Sequence, residues 1–576
     1  MGTFGWKAFS LVVALSAAGA ASQPYLGDVT RWNDQDVLDP IQAGGVVFVG
    51  SSSIRRWEQL TRDFSDYRII QRGFGGSQFE DLNFWVDELV LGYQPSAVVV
   101  WEGTNDLSTG ETGAEVFADY QSFVATVQSQ QPGVDIFYLG VTPTLANGPT
   151  TAERDAANAS IAAAAAADPK LHYIDLPAAF YALNPPAAPE FTSLYVDPIH
   201  LNRAGYDLWT TIVRPSLEAV VAPNKAFVPN QDTLQPGGVL YFDFGPSNPQ
   251  DGNQTIGPDS NGHVWNNWAP AEGNAPINAG EHIGGLVDRS GNNTGIGMVI
   301  TGGFSSNGLV NGGLASPSPA LLGDLAVPTA TQDYFFSGAD DLQGGGNDDI
   351  PGGFMLTGLD PAFVYEFTFF GTRTTADQIR ETEYRVIGST EGAARLVTTG
   401  PDIGNNGSYD GNDASLAVVS GIVPDAFGQV FVDLTVTRGL FAYLNAMRVE
   451  VVPLAVDEDP SDSVVSSGDS LSFTAGIVGS LPGVALRWER DGVPLADTGR
   501  VSGSATDTLT IADAIPADSG LFRLVAQAAG QTVETRPAIG GVRPASGDRT
   551  DFNGDGEIDD RDVIDFVRAI EENMEP

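Results

Sequence analysis

The chain has no cysteine, only four histidines and far fewer basic than acidic residues. Without cysteine it can form no disulfide, no thiol nucleophile and no thiolate metal site, although export is not excluded. The 28 Lys and Arg residues stand against 73 Asp and Glu residues, which gives a net charge of -45. A surface this acidic repels polyanions at long range, so nucleic acid is not expected as a partner.

The first 22 residues have the pattern of a secretory signal peptide. One lysine precedes an apolar run from Ala8 to Ala18, and small residues follow it to a cleavage point near Ala20 to Ser22. The run is short for a membrane span, and an N-terminal anchor is the alternative interpretation. No other run is apolar and long enough to cross a bilayer. We therefore expect a secreted mature protein, extracellular or at the cell surface, without a membrane span.

Residues 24–224 alternate short apolar runs with longer helical patterns. The strand-like runs cover residues 46–50, 67–73, 97–103, 135–141 and 171–176. This βαβ alternation predicts an α/β domain whose parallel sheet is covered by helices on both faces. Because ligands bind at the carboxyl ends of the strands in such sheets, functional residues are expected there.

The pattern changes to β structure after a Pro-, Asn- and Gly-rich linker at 225–238. Between residues 239 and 453, runs such as VLYFDFG and QVFVDLTV are separated by long Gly, Asn and Asp loops. They predict a β-sandwich of jelly-roll type. The aromatic run at 263–268 fits core packing or part of a sugar-binding face, and no motif identifies a ligand of this region.

Residues 455–542 form a smaller β unit that is similar to an immunoglobulin-like domain. Trp488 matches the core tryptophan of that family. The sequence DSGLF matches its corner motif, with Phe522 where tyrosine is usual, and Ala475 and Leu524 stand in the places of its two disulfide cysteines. The resemblance implies a second β-sandwich.

A histidine that follows an aspartate by three residues closes the α/β segment. Asp197 and His200 lie in DPIHLNRAGY, just before a helix-like stretch. A catalytic histidine needs a hydroxyl to deprotonate. The first strand ends in VVFVGSSSIRRW, where serines 51–53 precede a helix whose free N–H groups can face an oxyanion. The second strand ends in a Gly-rich turn that contains Gly76, and the third ends in WEGTND, which contains Asn105.

These four stretches, in this order and at these strand ends, resemble the SGNH hydrolase superfamily, also called GDSL esterases. They are most similar to its platelet-activating-factor acetylhydrolase-like members, over about residues 24 to 220. The resemblance implies a three-layer, flavodoxin-like α/β fold and a carboxylic ester hydrolase that needs no cofactor. Carried over by motif, the implied catalytic residues are Ser52, Gly76, Asn105, Asp197 and His200.

In the implied mechanism, Ser52 attacks an ester carbonyl and His200 takes its proton while Asp197 orients the imidazole. The main-chain N–H groups of Ser52 and Gly76, with the side-chain amide of Asn105, face the oxyanion. The sequence departs from the family at residue 51, where serine replaces the usual aspartate. That aspartate is not the acid of the triad, and the spacing from the preceding glycine favours Ser52 among the three serines.

Each of these residues also has a structural interpretation. A serine-rich turn commonly caps a helix, Gly76 could permit a left-handed turn, Asn105 could be a turn residue, and a lone histidine is usually structural. The joint pattern is what favours catalysis. A literal GDSL at 468–471 is rejected, because it enters a strand of the immunoglobulin-like unit and no second Gly block or D-x-x-H follows it.

The C-terminal tail, residues 543–576, contains the spacing of a calcium-binding loop. DFNGDGEIDDRD places oxygen ligands at loop positions 1, 3, 5, 9 and 12, with a main-chain carbonyl at 7 and glycine at 6. The segment resembles one calcium repeat of a dockerin type I domain, which implies a cohesin-like or other cell-surface partner, but dockerins have two repeats. An acidic turn without metal is the alternative. The expected ligands are Asp551, Asn553, Asp555, Glu557, Asp559 and Asp562.

Taken together, the sequence predicts a secreted multidomain serine esterase that removes short acyl groups, such as O-acetyl groups of a polysaccharide. The carbohydrate substrate is inferred from the accessory β domains, which is association rather than mechanism. A lipid or small-ester esterase, lysophospholipase-like, is one alternative, although no aliphatic lid segment is evident. A non-catalytic surface adhesion protein with a retained hydrolase scaffold is another, and the intact Ser, Gly, Asn, Asp and His set argues against it.

Overall fold

The computed structural model of the chain describes residues 23–543 with short gaps, and three residues of the tail. The gaps are at 39, 147–149, 184–191, 228–233, 271–274, 339–350, 375–376, 402, 404–408, 480–482 and 529–530, and the described tail residues are 561, 562 and 564. The expected signal peptide lies outside the described residues. So do five of the six expected calcium ligands, Asp551, Asn553, Asp555, Glu557 and Asp559.

The N-terminal domain contains a five-stranded sheet in the order β2-β1-β3-β4-β5, in which every neighbouring pair is parallel. The strands β1 to β5 are Val46–Gly50, Ile69–Gly73, Ala97–Trp101, Asp135–Leu139 and Leu171–Ile174. The α-helices are Leu26–Leu38, Ser52–Arg55, Leu60–Asp63, Phe79–Phe84, Val86–Leu89, Thr104–Thr109, Gly113–Gln130, Thr151–Ala167, Leu176–Ala182 and Arg203–Glu218. The parallel α/β domain expected from the βαβ pattern is confirmed.

Two hydrophobic clusters cover the two faces of this sheet. Val47 and Val49 of β1 belong to one cluster, whereas Val46 and Phe48 belong to the other. Successive strand residues point to opposite faces, so an uninterrupted apolar run such as VVFV is buried on both sides. Both faces of the sheet are therefore buried, and polar side chains that could act on a ligand are expected in the loops beyond the strand ends.

The region after the linker is β-rich, as expected. One sheet runs in the order Tyr409–Gly411, Glu391–Pro401, Arg380–Ile387, Val430–Arg438, Gly352–Thr357, Asn293–Gly302, His282–Val287, and a second in the order Ala417–Ile422, Tyr365–Phe370, Ala446–Val451, Val239–Phe244, Asn266–Trp268. A third small sheet contains Ser305–Asn307, Tyr334–Gly338 and Phe441–Leu444. The two larger sheets contribute side chains to one hydrophobic core. The jelly-roll form of this region stays a prediction.

The C-terminal β unit has a separate hydrophobic core, which is enclosed by smaller sheets. One sheet contains Ser463–Ser466, Ala538–Arg543, Gly520–Ala528, Ala485–Arg490 and Val493–Pro494, with Gln531–Glu534 beside Gly520–Ala528. The others contain Leu471–Thr474, Thr508–Ile511 and Val501–Ser502, and the pair Ala455–Glu458 and Gly476–Val478. Trp488, Ala475 and Leu524 are buried in this core, and the Phe522 ring stacks on Phe473 at 4.4 Å. Apolar packing therefore occupies the space that a disulfide would cross.

Throughout the described part of the chain, no helix has both the length and the apolar character needed to span a bilayer.

Candidate active site

The three serines that follow β1 lie at a turn from strand to helix. Gly50 has a φ of +151°, and a Cβ there would lie 2.0 Å from the main-chain oxygen of Trp101, so only glycine fits. Ser51 and Ser53 are 0% and 2% exposed, whereas Ser52 is partly exposed. The turn therefore buries Ser51 and Ser53 and leaves Ser52 partly accessible.

A continuous hydrogen-bonded line joins Ser52, His200 and Asp197. The Ser52 hydroxyl oxygen lies 3.0 Å from Nε2 of His200, and Nδ1 of His200 lies 2.6 Å from Oδ2 of Asp197. Ser52 and His200 are 148 residues apart in the sequence. With Nδ1 protonated toward Asp197, Nε2 is left as the acceptor for the Ser52 proton. The arrangement can generate a nucleophilic hydroxyl.

The turn that carries Asp197 and His200 is fixed by its own main chain. Oδ1 of Asp197 accepts hydrogen bonds from the N–H groups of Ile199 and His200, at 2.8 and 2.7 Å. Partial burial raises the pKa of Asp197, but the hydrogen bonds from the His200 side chain and from these N–H groups outweigh it and leave that pKa below its ordinary value. Asp197 therefore stays ionised and can stabilise a protonated imidazole.

Two of the three expected oxyanion donors, Gly76 and Asn105, lie just after the two strands that flank β1. Gly76 follows β2 with a φ of +83° and no atom near the position of a Cβ, so its backbone conformation is what favours glycine. Asn105 lies in the first turn of Thr104–Thr109, after β3. In the sheet, Gly50 pairs with Gly73 and with Trp101, which places both loops beside the Ser52 turn. All five sequence-predicted residues thus lie at the carboxyl edge of the sheet.

Two buried residues at this edge were not expected from the sequence. The Ser77 hydroxyl donates to Oε2 of Glu102 at 2.7 Å, and both side chains are fully buried. Nδ2 of Asn105 donates to the main-chain oxygen of Ser77 at 2.8 Å. The only sequence signal was a charged residue, Glu102, placed directly after the apolar run AVVVW.

The acidic groups beside these loops have shifted pKa values. Burial, and next the charge of Asp106, raise the pKa of Glu102 well above its ordinary value. Burial also raises the pKa of Asp106 to about 6, although the N–H of Phe79 donates to its carboxyl at 2.8 Å. The interior next to the two loops is therefore poorly solvated, which strengthens any hydrogen bond made there.

The candidate metal ligands cannot be assembled from the described residues. Asp562 is 4% exposed in a short helical stretch, and the other five expected ligands lie outside the part that the structure describes. Nowhere in the described residues do three His, Asp or Glu side chains group so as to hold a metal ion. The calcium loop stays a prediction.

Comparison with known families supports the assignment of two domains. Residues 41–208 match the model of the GDSL-like lipase/acylhydrolase family, and residues 454–538 match the immunoglobulin I-set domain. The chain thus contains a GDSL-like acylhydrolase domain and, further along, an immunoglobulin domain, which confirms both resemblances drawn from the motifs. The dockerin-like repeat is not matched in this way and stays a prediction.

Individual relatives cover only part of the chain. Platelet-activating factor acetylhydrolase IB subunit alpha2 of Gallus gallus is 30% identical over 111 residues, which are 17% of this chain and 44% of that protein. The SPEG neighbor protein of Homo sapiens is 31% identical over 118 residues, 20% of this chain and 48% of that protein. This chain therefore spans about half the length of each relative. A crystal structure of a GDSL-like lipase from Bacteroides thetaiotaomicron aligns at 18% identity and a TM-score of 0.28, covering 34% of this chain and 98% of that one.

Proposed function

We propose that this protein is a secreted serine esterase of SGNH type that hydrolyses carboxylic esters with short acyl groups. The observation that carries the proposal is the line from the Ser52 hydroxyl through His200 to Asp197, with distances of 3.0 and 2.6 Å. A hydroxyl, an imidazole and a carboxylate in this order are the parts of an acyl-transfer site. Secretion is inferred from the signal peptide expected in the first 22 residues.

The reaction has two halves. Oγ of Ser52 attacks the ester carbonyl carbon while Nε2 of His200 takes the hydroxyl proton, and Asp197 stabilises the imidazolium that forms. His200 then gives this proton to the departing alcohol oxygen, which leaves an acyl group on Ser52. A water molecule, deprotonated by His200, attacks the acyl carbon in the second half. The proton returns to Ser52 and the carboxylic acid departs.

The negative charge on the carbonyl oxygen needs donors on the side away from His200. The N–H groups of Ser52 and Gly76 and the amide of Asn105 supply them in this proposal. One N–H of the Asn105 amide is already held by the main-chain oxygen of Ser77 at 2.8 Å. An amide nitrogen has two N–H groups, so the second is available to the oxyanion in a fixed direction. Loss of one such donor typically lowers the rate by about 100- to 1000-fold.

The acyl group in this proposal is short, with acetyl as the leading candidate. The Gallus gallus relative is named as an acetylhydrolase, and this chain contains a GDSL-like acylhydrolase domain. The alcohol part is proposed to be a carbohydrate, because β-rich domains follow the hydrolase domain in one secreted chain. The proposal of a carbohydrate rests on this association of domains and not on the chemistry of the site.

The test is hydrolysis of p-nitrophenyl acetate, butyrate and octanoate by the mature chain and by Ser52→Ala. We expect activity on the acetate and butyrate that Ser52→Ala abolishes. Ser53→Ala is the matched control, since Ser53 is adjacent but buried. A serine-directed phosphonate should label the wild type and leave Ser52→Ala unlabelled.

Other outcomes point to other functions. Activity that rises with acyl length favours a lipid esterase. An inert wild type that takes no phosphonate label contradicts the esterase and favours an adhesion protein with a retained scaffold. Release of acetate from acetylated xylan, compared with release from an acetylated phospholipid, decides between a carbohydrate and a lipid alcohol.

A further inference from the structure

Glu102 is a fully buried carboxyl at the end of β3 that the reaction described above does not use. Oε2 accepts a hydrogen bond from the Ser77 hydroxyl at 2.7 Å, and Oε1 accepts one from the Gly103 N–H at 3.3 Å. The Tyr138 hydroxyl donates to the main-chain oxygen of Glu102 at 2.8 Å. Glu102 and Ser77 are each 0% exposed. The carboxyl therefore joins the loop after β2 to the loop after β3.

These contacts connect the two segments that carry the oxyanion donors Gly76 and Asn105. Ser77 directly follows Gly76, and its side chain is held by Glu102. The main-chain oxygen of Ser77 holds the amide of Asn105 at 2.8 Å, and Asn105 lies three residues after Glu102 along the chain. A shift of the Ser77 peptide would thus move the N–H of Gly76 and the amide of Asn105 together.

Burial of a carboxyl is costly, and within the described part of the chain no basic side chain is seen to pair with this one. The groups that act on its charge are Asp106 and Asp81, both acidic, and its hydrogen bonds come from a hydroxyl and an N–H. The phenol groups of Tyr25 and Tyr138 are also near enough to feel it. An apolar residue would fill the same space at a lower free-energy cost if stability alone mattered. The position therefore needs the hydrogen bonds of a carboxyl.

We propose that Glu102 is a positioning residue, whose carboxyl holds Ser77 so that the Gly76 N–H and the Asn105 amide point at the same carbonyl oxygen. The inference rests on the proposed esterase function. It assigns Glu102 no contact with substrate, and it makes the oxyanion donors dependent on a carboxyl that lies behind them.

The burial of Glu102 disfavours the charged form of its carboxyl. An ionised carboxylate so close to the oxyanion donors would oppose the negative charge that forms in the transition state. Burial, and next the charge of Asp106, raise the pKa of Glu102 well above its ordinary value, which is the direction that limits this opposing charge. Glu102→Gln keeps an acceptor for the Ser77 hydroxyl without a charge, and loses only the long contact to Gly103.

The experiment compares Glu102→Ala, Glu102→Gln and Ser77→Ala with the full-length wild type, using p-nitrophenyl acetate. We expect Glu102→Ala and Ser77→Ala to lower kcat by about 10- to 100-fold with KM within twofold, because loss of positioning costs part of an oxyanion-donor effect. Glu102→Gln should keep kcat within about fivefold. Tyr67→Phe is the control, because it removes a part-buried hydrogen bond, from the Tyr67 hydroxyl to the oxygen of Val221, in a different part of the domain.

A double-mutant cycle with Asn105→Ala separates positioning from loss of stability. If Glu102 acts partly through Asn105, then Glu102→Ala should lower kcat by a clearly smaller factor in the Asn105→Ala background than in the wild type, because coupled residues are not additive. The effect that remains is the part that acts through Gly76. Full additivity, or an unchanged kcat in folded Glu102→Ala and Ser77→Ala, overturns the inference. If Glu102→Ala does not fold, Ser77→Ala, which removes a single hydroxyl, gives the same decision. An inert wild type overturns the proposed function and this inference with it, whereas an active wild type with unaffected variants overturns this inference alone.

Discussion

The guanidinium of Arg62, in the N-terminal domain, holds the carboxylate of Asp433, in the β-rich region, by two hydrogen bonds of 3.0 and 2.9 Å. The two residues are 371 positions apart in the chain. The Arg62 guanidinium also lies over the ring of Phe431 at 4.6 Å from its centre. Both charged side chains are largely shielded from solvent, so this pair binds the hydrolase domain to the domain that follows it.

We predict that Arg62 and Asp433 are energetically coupled. A double-mutant cycle with Arg62→Ala and Asp433→Ala should give a coupling free energy of about 1 kcal/mol or more, since the pair is bidentate and part-buried. Urea unfolding of the four proteins measures it. The control is the pair Arg395 and Glu383, whose arginine is mostly exposed and for which we expect almost no coupling. Equal coupling free energies in both cycles would contradict the idea that partial burial makes the Arg62–Asp433 pair stabilising.

The carboxylate of Asp197 should matter for kcat more than for folding. Asp197→Asn keeps the shape of the side chain but cannot compensate the charge of a protonated His200, and it favours the wrong tautomer. We expect kcat to fall by about 1000- to 10,000-fold, as for other Ser-His-Asp sites. The p-nitrophenyl acetate assay with thermal melting checks this. Asp207→Asn, at an exposed carboxylate in the helix Arg203–Glu218 that follows the turn, should leave kcat within twofold.

The buried carboxyls of Asp243 and Asp333 predict a pH-dependent stability of the β-rich region. Burial is the main cause that raises the pKa of each above its ordinary value of 3.8, and the charge of Asp243 raises that of Asp333 further. The folded state therefore binds more protons than the unfolded chain above that ordinary value. The stability this provides is complete at acid pH and is lost as the pH rises through the raised pKa values.

Asp333→Asn should remove the loss of stability that deprotonation of Asp333 causes as the pH rises. Relative to wild type, its free energy of unfolding should increase as pH rises from 6 to 9, by up to about 1.4 kcal/mol per pH unit. Urea unfolding at three pH values measures the difference. Glu391→Gln alters an exposed carboxylate of the same region. Its free energy of unfolding should differ from that of the wild type by an amount that does not change with pH. A constant difference for Asp333→Asn as well would mean that this carboxyl is ionised in the folded protein.

The loop at 551–562 is expected to bind calcium. Equilibrium dialysis of the full-length chain should show calcium that is lost in the double variant Asp551→Asn with Asp555→Asn, because these residues supply two of the charged oxygens. The double variant Glu571→Gln with Glu572→Gln, in the same tail but outside the loop, should retain it. Equal calcium in both variants would place the binding elsewhere or show that the loop is an acidic turn without metal.

Local features of the site were predictable because they depend on short stretches of chain. The turn from Asp197 to His200 is made by a side chain that accepts main-chain N–H groups two and three residues ahead. The requirement for glycine before the serines and the Gly-rich turn after β2 follow from how a strand ends and turns. The alternation of apolar runs and helical patterns likewise predicts the parallel sheet, because the spacing of apolar residues differs between strands and helices.

The sequence by itself therefore determined the parallel α/β domain, the immunoglobulin domain and the β-rich character of the region between them, and it placed the five candidate residues at the carboxyl edge of the sheet. Only the tertiary structure brought Ser52, the serine favoured by its spacing from Gly50, to 3.0 Å from Nε2 of His200, and it buried Ser51 and Ser53. It also decided that Glu102 contacts Ser77, 25 residues away, and that Arg62 contacts Asp433. Periodicity specifies the face on which a residue lies, whereas such contacts depend on strand order, register and domain docking, which no local pattern contains.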